Sequence, residues 1–286
     1  MILFIAYGLP VFMRNPCWDK TPGSRGRTTQ PRTRNRFARY AQMPPASFIR
    51  IGTAGWSIAR EQAAHFPSEG QGLQRYSAVL TCAEINSSFH RPHRASTWEK
   101  WRDSVPSDFR FSVKLPKTIT HVARLVDVEP LLDAFVAEAG LLRERLAVLL
   151  VQLPPSLAFE ETVAAAFFRQ LRDRSLASVT VEPRHASWFG DEAAALLRDV
   201  GVSRVGADPA RVPGAAEPLV VGGLAYWRLH GSPVMYRSSY SDRIDDLAAA
   251  VRASPANEKW IIFDNTASSA ATGDALALMR ALAPRA

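Results

Sequence analysis

From Phe48 onward, short β-rich runs alternate with helical runs, and this alternation limits the possible folds more than any other feature of the chain. The strand candidates are FIRIGTAG (48–55), CAEINSSF (82–89), FRFSVKLP (109–116), LAVLLVQLP (146–154), ASVTVEPRH (177–185), VSRVGADP (202–209), LAYWRLHG (224–231) and KWIIFDNT (259–266). Between them lie LQRYSAVL, ASTWEKWRDSV, EPLLDAFVAEAGLLRERL, TVAAAFFRQLRDR, DEAAALLRDVG and DRIDDLAAAVRA, and DALALMRALA follows the last. Only the connection from Pro209 to Gly223, rich in Pro, Gly and Ala, reads as a loop. Strands alternating with helices pair in parallel through right-handed crossovers. Eight such units over about 240 residues match a single (β/α)8 TIM barrel, here with its sixth helix replaced by a loop. The alternative is an open doubly wound sheet, which needs no eighth strand and often carries a glycine-rich nucleotide loop. GTAG after the first strand does not fit G-x-G-x-x-G, and there is neither a P-loop nor an internal repeat.

The net charge of +8 suggests a nucleic-acid partner until it is located along the chain. Residues 1–47 hold Arg14, Lys20, Arg25, Arg27, Arg32, Arg34, Arg36 and Arg39 against Asp19 alone, while the remainder is nearly balanced. The basicity therefore belongs to one segment and not to the fold. Residues 1–46 have no apolar period after MILFIAYGLPVFM and are expected to be a disordered basic tail. They read as a basic arm touching nucleic acid or membrane, or as the product of a start at Met1 where Met43 is the true one, the second being favoured. The folded domain is then 47–286. The two cysteines, Cys17 and Cys82, make no disulfide framework, and a reduced cytoplasm is expected. No run approaches 18 apolar residues, so no membrane partner is expected.

Strand parity supplies the candidate site. In FRFSVKLP, Phe109, Phe111, Val113 and Leu115 share one face, and Arg110, Ser112 and Lys114 share the other. The same alternation opposes Val179 and Val181 to Glu182 and Arg184, and Trp227 and Leu229 to Arg228 and His230. A barrel strand turns its apolar face to the surrounding helices, so the polar face points down the axis. Glu84, Asn86, Lys114, Gln152, Glu182, Arg184, Asp208, Arg228, His230 and Asp264 are thereby expected inside, near the C-terminal strand ends where active sites of this fold lie. The competing reading is a buried network of mixed charges that neutralise one another.

At the same stretches the sequence resembles a known family. IGTAGWS, EINSSFH, FRFSVKLPKTITH, LLVQLPPS, VEPRHASW, YWRLHG and FDNTASSAA, in this order, are similar to the YecE-like family, domain of unknown function 72, over residues 48 to 284. The resemblance implies a TIM barrel without an established reaction. The motif positions it marks include Trp56, His121 and Asn265 beside the inward-facing residues. Two positions depart from the family pattern: His90 stands where tyrosine is usual, and Pro183 where an aromatic is usual.

The chemistry of these residues favours an anion. Lys114, Arg184 and Arg228 suit phosphate or carboxylate, with Asn86, Gln152, Trp56, His121 and Asn265 as further substrate contacts. His230 is the candidate general acid/base, with Glu182 and Glu84 as bases or orienting groups and Asp264 holding the His230 tautomer. Arg228→Met is expected to weaken ligand binding more than folding, on the premise that Arg228 lies among cations. No cofactor is expected. A divalent metal on Glu182, Asp208, His230 and Asp264 is the alternative, by analogy with endonuclease IV and xylose isomerase barrels, although the sequence has no H-x-x-x-H or C-x-x-C pair. A neutral-sugar glycosidase is disfavoured by the cations, and a serine hydrolase by the lack of a G-x-S-x-G elbow. Trp56, Trp98, Trp101 and Trp188 read first as helix–strand packing, and His65 and His93 as solvated or capping residues. Two function classes stand: an enzyme acting on an anionic small molecule or nucleic-acid end, and a non-catalytic binder of such a ligand. Oligomeric state is not legible.

Overall fold

The computed structural model describes residues 48–284; the expected basic tail, with Cys17, lies outside the described residues. Nine strand segments form one sheet: β1 (Phe48–Ala54), β2 (Cys82–Ile85), β3 (Arg110–Lys114), β4 (Leu146–Gln152), β5 (Ser178–Glu182), β6 (Val202–Arg204), β7 (Gly206–Asp208), β8 (Leu224–Leu229) and β9 (Glu258–Phe263). Every pairing is parallel, in the order β6-β5-β4-β3-β2-β1-β9-β8-β7. The sheet's two ends, β6 and β7, are halves of one run. β6 pairs with β5 and β7 with β8, so the chain crosses the seam at Val205, whose N–H donates to Val181 O at 2.8 Å. The nine segments are thus the eight staves of a TIM-type barrel.

The helices are α1 (Gly72–Ser77), α2 (Ala95–Asp103), α3 (Glu129–Ala139), α4 (Glu161–Arg174), α5 (Asp191–Asp199), α6 (Ile244–Ala253) and α7 (Ala270–Leu282), and residues 209–223 hold none. In α4, Glu160 caps the first turn by accepting from Thr162 N and Val163 N, and Arg172 and Arg174 stand in the last turn, where the helix dipole favours cations. Its buried Ala164, Phe167, Phe168 and Leu171 follow the helical spacing that lays one stripe on the barrel.

Strand alternation divides the apolar residues into two cores. Cys82, Val148, Leu150, Val205, Leu224, Tyr226, Trp260 and Ile262 pack together inside the barrel. Phe111, Val113, Val179, Val181, Trp227, Leu229, Ile261 and Phe263 face outward onto helix residues such as Leu132, Phe167, Phe168 and Leu278. Gly52 is required in the inner core, because a Cβ there would lie 2.0 Å from Cys82 O. Two expected elements are shorter than their sequence patterns. The CAEINSSF strand ends at Ile85, and Ser87–Phe89 turn as a 3₁₀ helix because the Ser88 hydroxyl donates to Ile85 O (3.1 Å) and Lys114 O (2.7 Å). The α3 pattern breaks after Ala139 into a tight turn containing Arg143 at φ 50°.

Candidate functional site

The centre of the barrel mouth is the Arg228 guanidinium, which β8 places fully out of solvent. Nε and Nη2 donate to Glu84 Oε2 and Oε1 at 3.0 and 2.6 Å, Nη1 to Glu182 Oε2 at 2.5 Å, and Nη2 also to Asp264 Oδ2 at 2.9 Å. One guanidinium therefore joins the ends of β2, β5, β8 and β9. Burial disfavours its charge, but Glu84, Glu182 and Asp264 more than reverse this and hold Arg228 well above its ordinary value. This corrects the expectation that Arg228 lies among cations and spares its donors for a ligand: its partners are three carboxylates.

His230 is enclosed in the same way. Nδ1 lies 2.9 Å from Asp264 Oδ2 and Nε2 3.2 Å from Glu182 Oε1. Burial opposes the charged ring, but the two acids prevail and raise its pKa above 6.5. With a carboxylate at each nitrogen, the ring is satisfied only as a double donor, the imidazolium, which does not suit a base. Glu182 is held well below 4.5: burial pushes it up, and Arg228 and His230 overcome that. Asp264 is lowered likewise, against burial, by Arg228 and His230. Gln152 Nε2 donates to Glu182 Oε2 at 3.0 Å.

Lys114, at the end of β3, is placed differently. It keeps 8% exposure, and no carboxylate among the described residues pairs with it. Its ammonium lies 4.1 Å over the Phe89 ring. Burial first, and Arg228 second, push its pKa down to about 8, against the pull of Glu84, Glu182 and Asp264. Arg184, at the rim, lies 3.3 Å from Glu182 Oε1. His121, half-buried and edge-on to Phe89 at 5.0 Å, is lowered by burial and then by Lys114 and Arg184. Lys114 and Arg184 are thus the cations of this edge, and both disfavour a charged His121 ring. The carbonyl-type oxygen of Asn86, just after β2, is buried with no donor among the described residues.

Three expected site residues lie elsewhere. Asp208 is on the outward face, because Val205 and Ala207 take the inward positions of its run. Its carboxylate accepts from Arg243 at 2.9 and 3.1 Å and from the Tyr240 hydroxyl at 2.8 Å. Trp56 packs edge-on against Trp101 and Phe111, on the helix side of β3. Asn265 is fully buried and donates to Ser238 O (2.9 Å) and Asp274 Oδ2 (2.6 Å), tying the loop after β8 to α7. Of the four proposed metal ligands, Glu182, His230 and Asp264 meet at the mouth and Asp208 does not join them. Among the described residues no group of three or more His, Cys, Asp or Glu is arranged for a metal, and the point on which the mouth carboxylates converge is filled by the Arg228 guanidinium.

Sequence reasoning passed over Tyr226 and Ser112. Tyr226 donates to Glu84 Oε2 (2.8 Å) and accepts from the Ser112 hydroxyl (2.9 Å) below the cluster, and both residues share the parity of Arg228 and Lys114 that marked the site. Tyr236, whose ring lies 5.7 Å from His230, comes from the loop after β8, and no periodic signal points to it.

With this geometry the fold neighbours can be placed. DUF72 family proteins of known structure from Enterococcus faecalis (20% identical, TM-score 0.68, covering 84% of this chain and 97% of that one) and Thermotoga maritima (24%, 0.67, 82% and 99%) share the architecture. A D-allulose 3-epimerase from Methylomonas sp. shares it more loosely (15%, 0.52, 83% and 98%). The UPF0759 protein YecE of Escherichia coli K12 is 30% identical over 138 residues, 46% of this chain and 50% of that protein. The chain thus spans about half the length of the curated relatives it matches. No helix among the described residues is long and apolar enough to cross a membrane. The family model described as "Protein of unknown function DUF72" matches residues 50–286, and with the ordered motifs and the barrel itself it establishes that the chain belongs to the DUF72 family.

Proposed function

We propose that the protein is an enzyme, acting in the cytoplasm on a phosphate- or carboxylate-bearing small molecule or nucleic-acid end bound at the C-terminal mouth of the barrel. The observation that carries this reading is the unpaired Lys114 ammonium. Glu84, Glu182 and Asp264 are matched by Arg228, the His230 imidazolium and Arg184, so Lys114 is the surplus cation of the site. A buried charge without a counter-ion is costly, and a ligand anion would relieve that cost. Arg184 and His121 flank the place where such an anion would sit, the Asn86 acceptor awaits a hydroxyl or amine of the same ligand, and the His230 imidazolium becomes a general acid when the ligand displaces one of its two carboxylate partners.

Calorimetric titration with inorganic phosphate tests the binding part. The wild type binds, and Lys114→Met binds roughly tenfold or more weakly, the equivalent of about 1.5–3 kcal/mol for a charged hydrogen bond. Equal affinity in the two proteins contradicts the reading. Turnover of phosphoesters, sugar phosphates and abasic DNA, with and without divalent metals, tests the catalytic part. Binding with no turnover across the panel makes the protein a binder and not an enzyme.

A further inference from the structure

The inner wall of the barrel carries two buried nucleophiles of opposite character. The Cys82 thiol is fully enclosed in the inner core, and burial pushes its pKa far up, so it stays an inert thiol. Lys114 keeps contact with the mouth, and its pKa is drawn down towards neutrality by burial and by Arg228. A cation engaged only in holding an anion would be served better by arginine, whose fork bonds a carboxylate or phosphate at two points. What distinguishes lysine is a nitrogen that can lose its proton and form a bond, and a desolvated lysine beside another cation is the usual arrangement for this.

We infer that Lys114 is a nucleophilic amine that condenses with the carbonyl carbon of the substrate to form a protonated imine. The inference takes its anionic substrate class from the function proposed above, but the bond-forming step stands on the Lys114 environment alone. In that step the neutral Nζ attacks the carbonyl carbon, and a C–N bond forms. The carbonyl oxygen takes up two protons, one from the amine and one from an acid, and leaves as water. Ammonium and carbonyl thus become iminium and water, with no oxidant, reductant or further reactant. The positive charge is conserved at the same place. Glu84, Glu182 and Asp264, which favour the charged lysine, therefore favour the iminium as well. The Phe89 face, 4.1 Å from Nζ, shields one side of the adduct from water. The acid's proton is the one the ammonium gave up on becoming the free amine, returned through solvent at the mouth, so the step needs no further acid.

The test uses the full chain at neutral pH with three aldehydes, glycolaldehyde phosphate, glyoxylate and uncharged glycolaldehyde, each followed by borohydride reduction, intact-mass measurement and peptide mapping. The expected result is one reduced adduct per chain on Lys114, formed at least tenfold faster than adducts on the exposed Lys100 and Lys117. It should be absent at residue 114 in Lys114→Arg and Lys114→Met, with surface labelling unchanged. Circular dichroism confirms that the variants are folded. Labelling of Lys114 no faster than of Lys100 and Lys117 by all three aldehydes overturns the inference. Two further results separate the inference from the anion reading. If uncharged glycolaldehyde labels Lys114 as fast as the charged probes, imine chemistry stands and the anion reading fails. If phosphate binding depends on Lys114 but no adduct forms there, the anion site stands and the imine is overturned.

Discussion

The Arg228 cluster and the Lys114 edge lie at the same end of the barrel, on strands that face one another across its mouth, and both bury cations. Arg228 has four N–H bonds to three carboxylates and no exposure. Lys114 has an aromatic face, a cationic neighbour in Arg228 and no paired acid among the described residues. A saturated buried cation contributes to the fold, because removing it strands its partners. An unsaturated one costs the fold and is free for a ligand. The difference separates the scaffold of the site from its working edge, although both consist of the same kinds of residue.

Substitutions should divide along this line. The largest effect is expected for Arg228→Met, which leaves Glu84, Glu182 and Asp264 buried without their common cation. A cost of about 3–5 kcal/mol is expected in urea unfolding, or failure to fold. Stability within about 1 kcal/mol of wild type would erase the contrast. Lys114→Met should act in the opposite direction. A lysine whose folded pKa is lowered from 10.5 to about 8 opposes folding while it is charged, so its removal should stabilise the protein at pH 7 by about 1–3 kcal/mol. Tyr226→Phe, which removes two hydrogen bonds under the cluster but no charge, should cost about 1–2 kcal/mol and leave phosphate affinity unchanged.

The smallest effect is in pH dependence, and its sign follows from the shifts. His230 is raised above 6.5, so its contribution is full below 6.5 and is lost as pH climbs through the elevated value. Glu182 and Asp264 are lowered from 4.5 and 3.8, so theirs is full above those values and is lost as pH falls. Stability from the cluster should therefore peak between about 4.5 and 6.5, measured as urea midpoints across pH. Lys114 has the opposite sign at the alkaline end, since its penalty fades between about 8 and 10.5. The alkaline decline should accordingly be steeper in Lys114→Met than in wild type, and shallower in His230→Gln.

Much of this was legible in the sequence because a parallel barrel enforces one rule on every stave. Alternation placed Glu84, Lys114, Glu182, Arg228, His230 and Asp264 at one mouth, where the structure has them. The rule failed where its premises fail. Asp208 ends a run in which Val205 and Ala207 hold the inward positions, so being near the C-terminal end was not enough. Trp56 and Asn265 entered through the family resemblance and not through alternation, and they come from segments beyond strand ends, where alternation says nothing. Which cation pairs with which acid was not legible at all. Parity gives a side of the sheet, while pairing depends on height along the axis and on which staves oppose. The sequence therefore offered Arg228 and Lys114 as equals, and only their surroundings tell them apart.

The most direct test is thermal unfolding of wild type and Lys114→Met at pH 7, with and without inorganic phosphate, because a ligand bound only to the native state raises Tm. The account predicts that phosphate raises the wild-type Tm, and that Lys114→Met starts higher and does not respond. A Lys114→Met protein that melts below wild type and still gains from phosphate would show that Lys114 serves the fold and that the anion binds elsewhere.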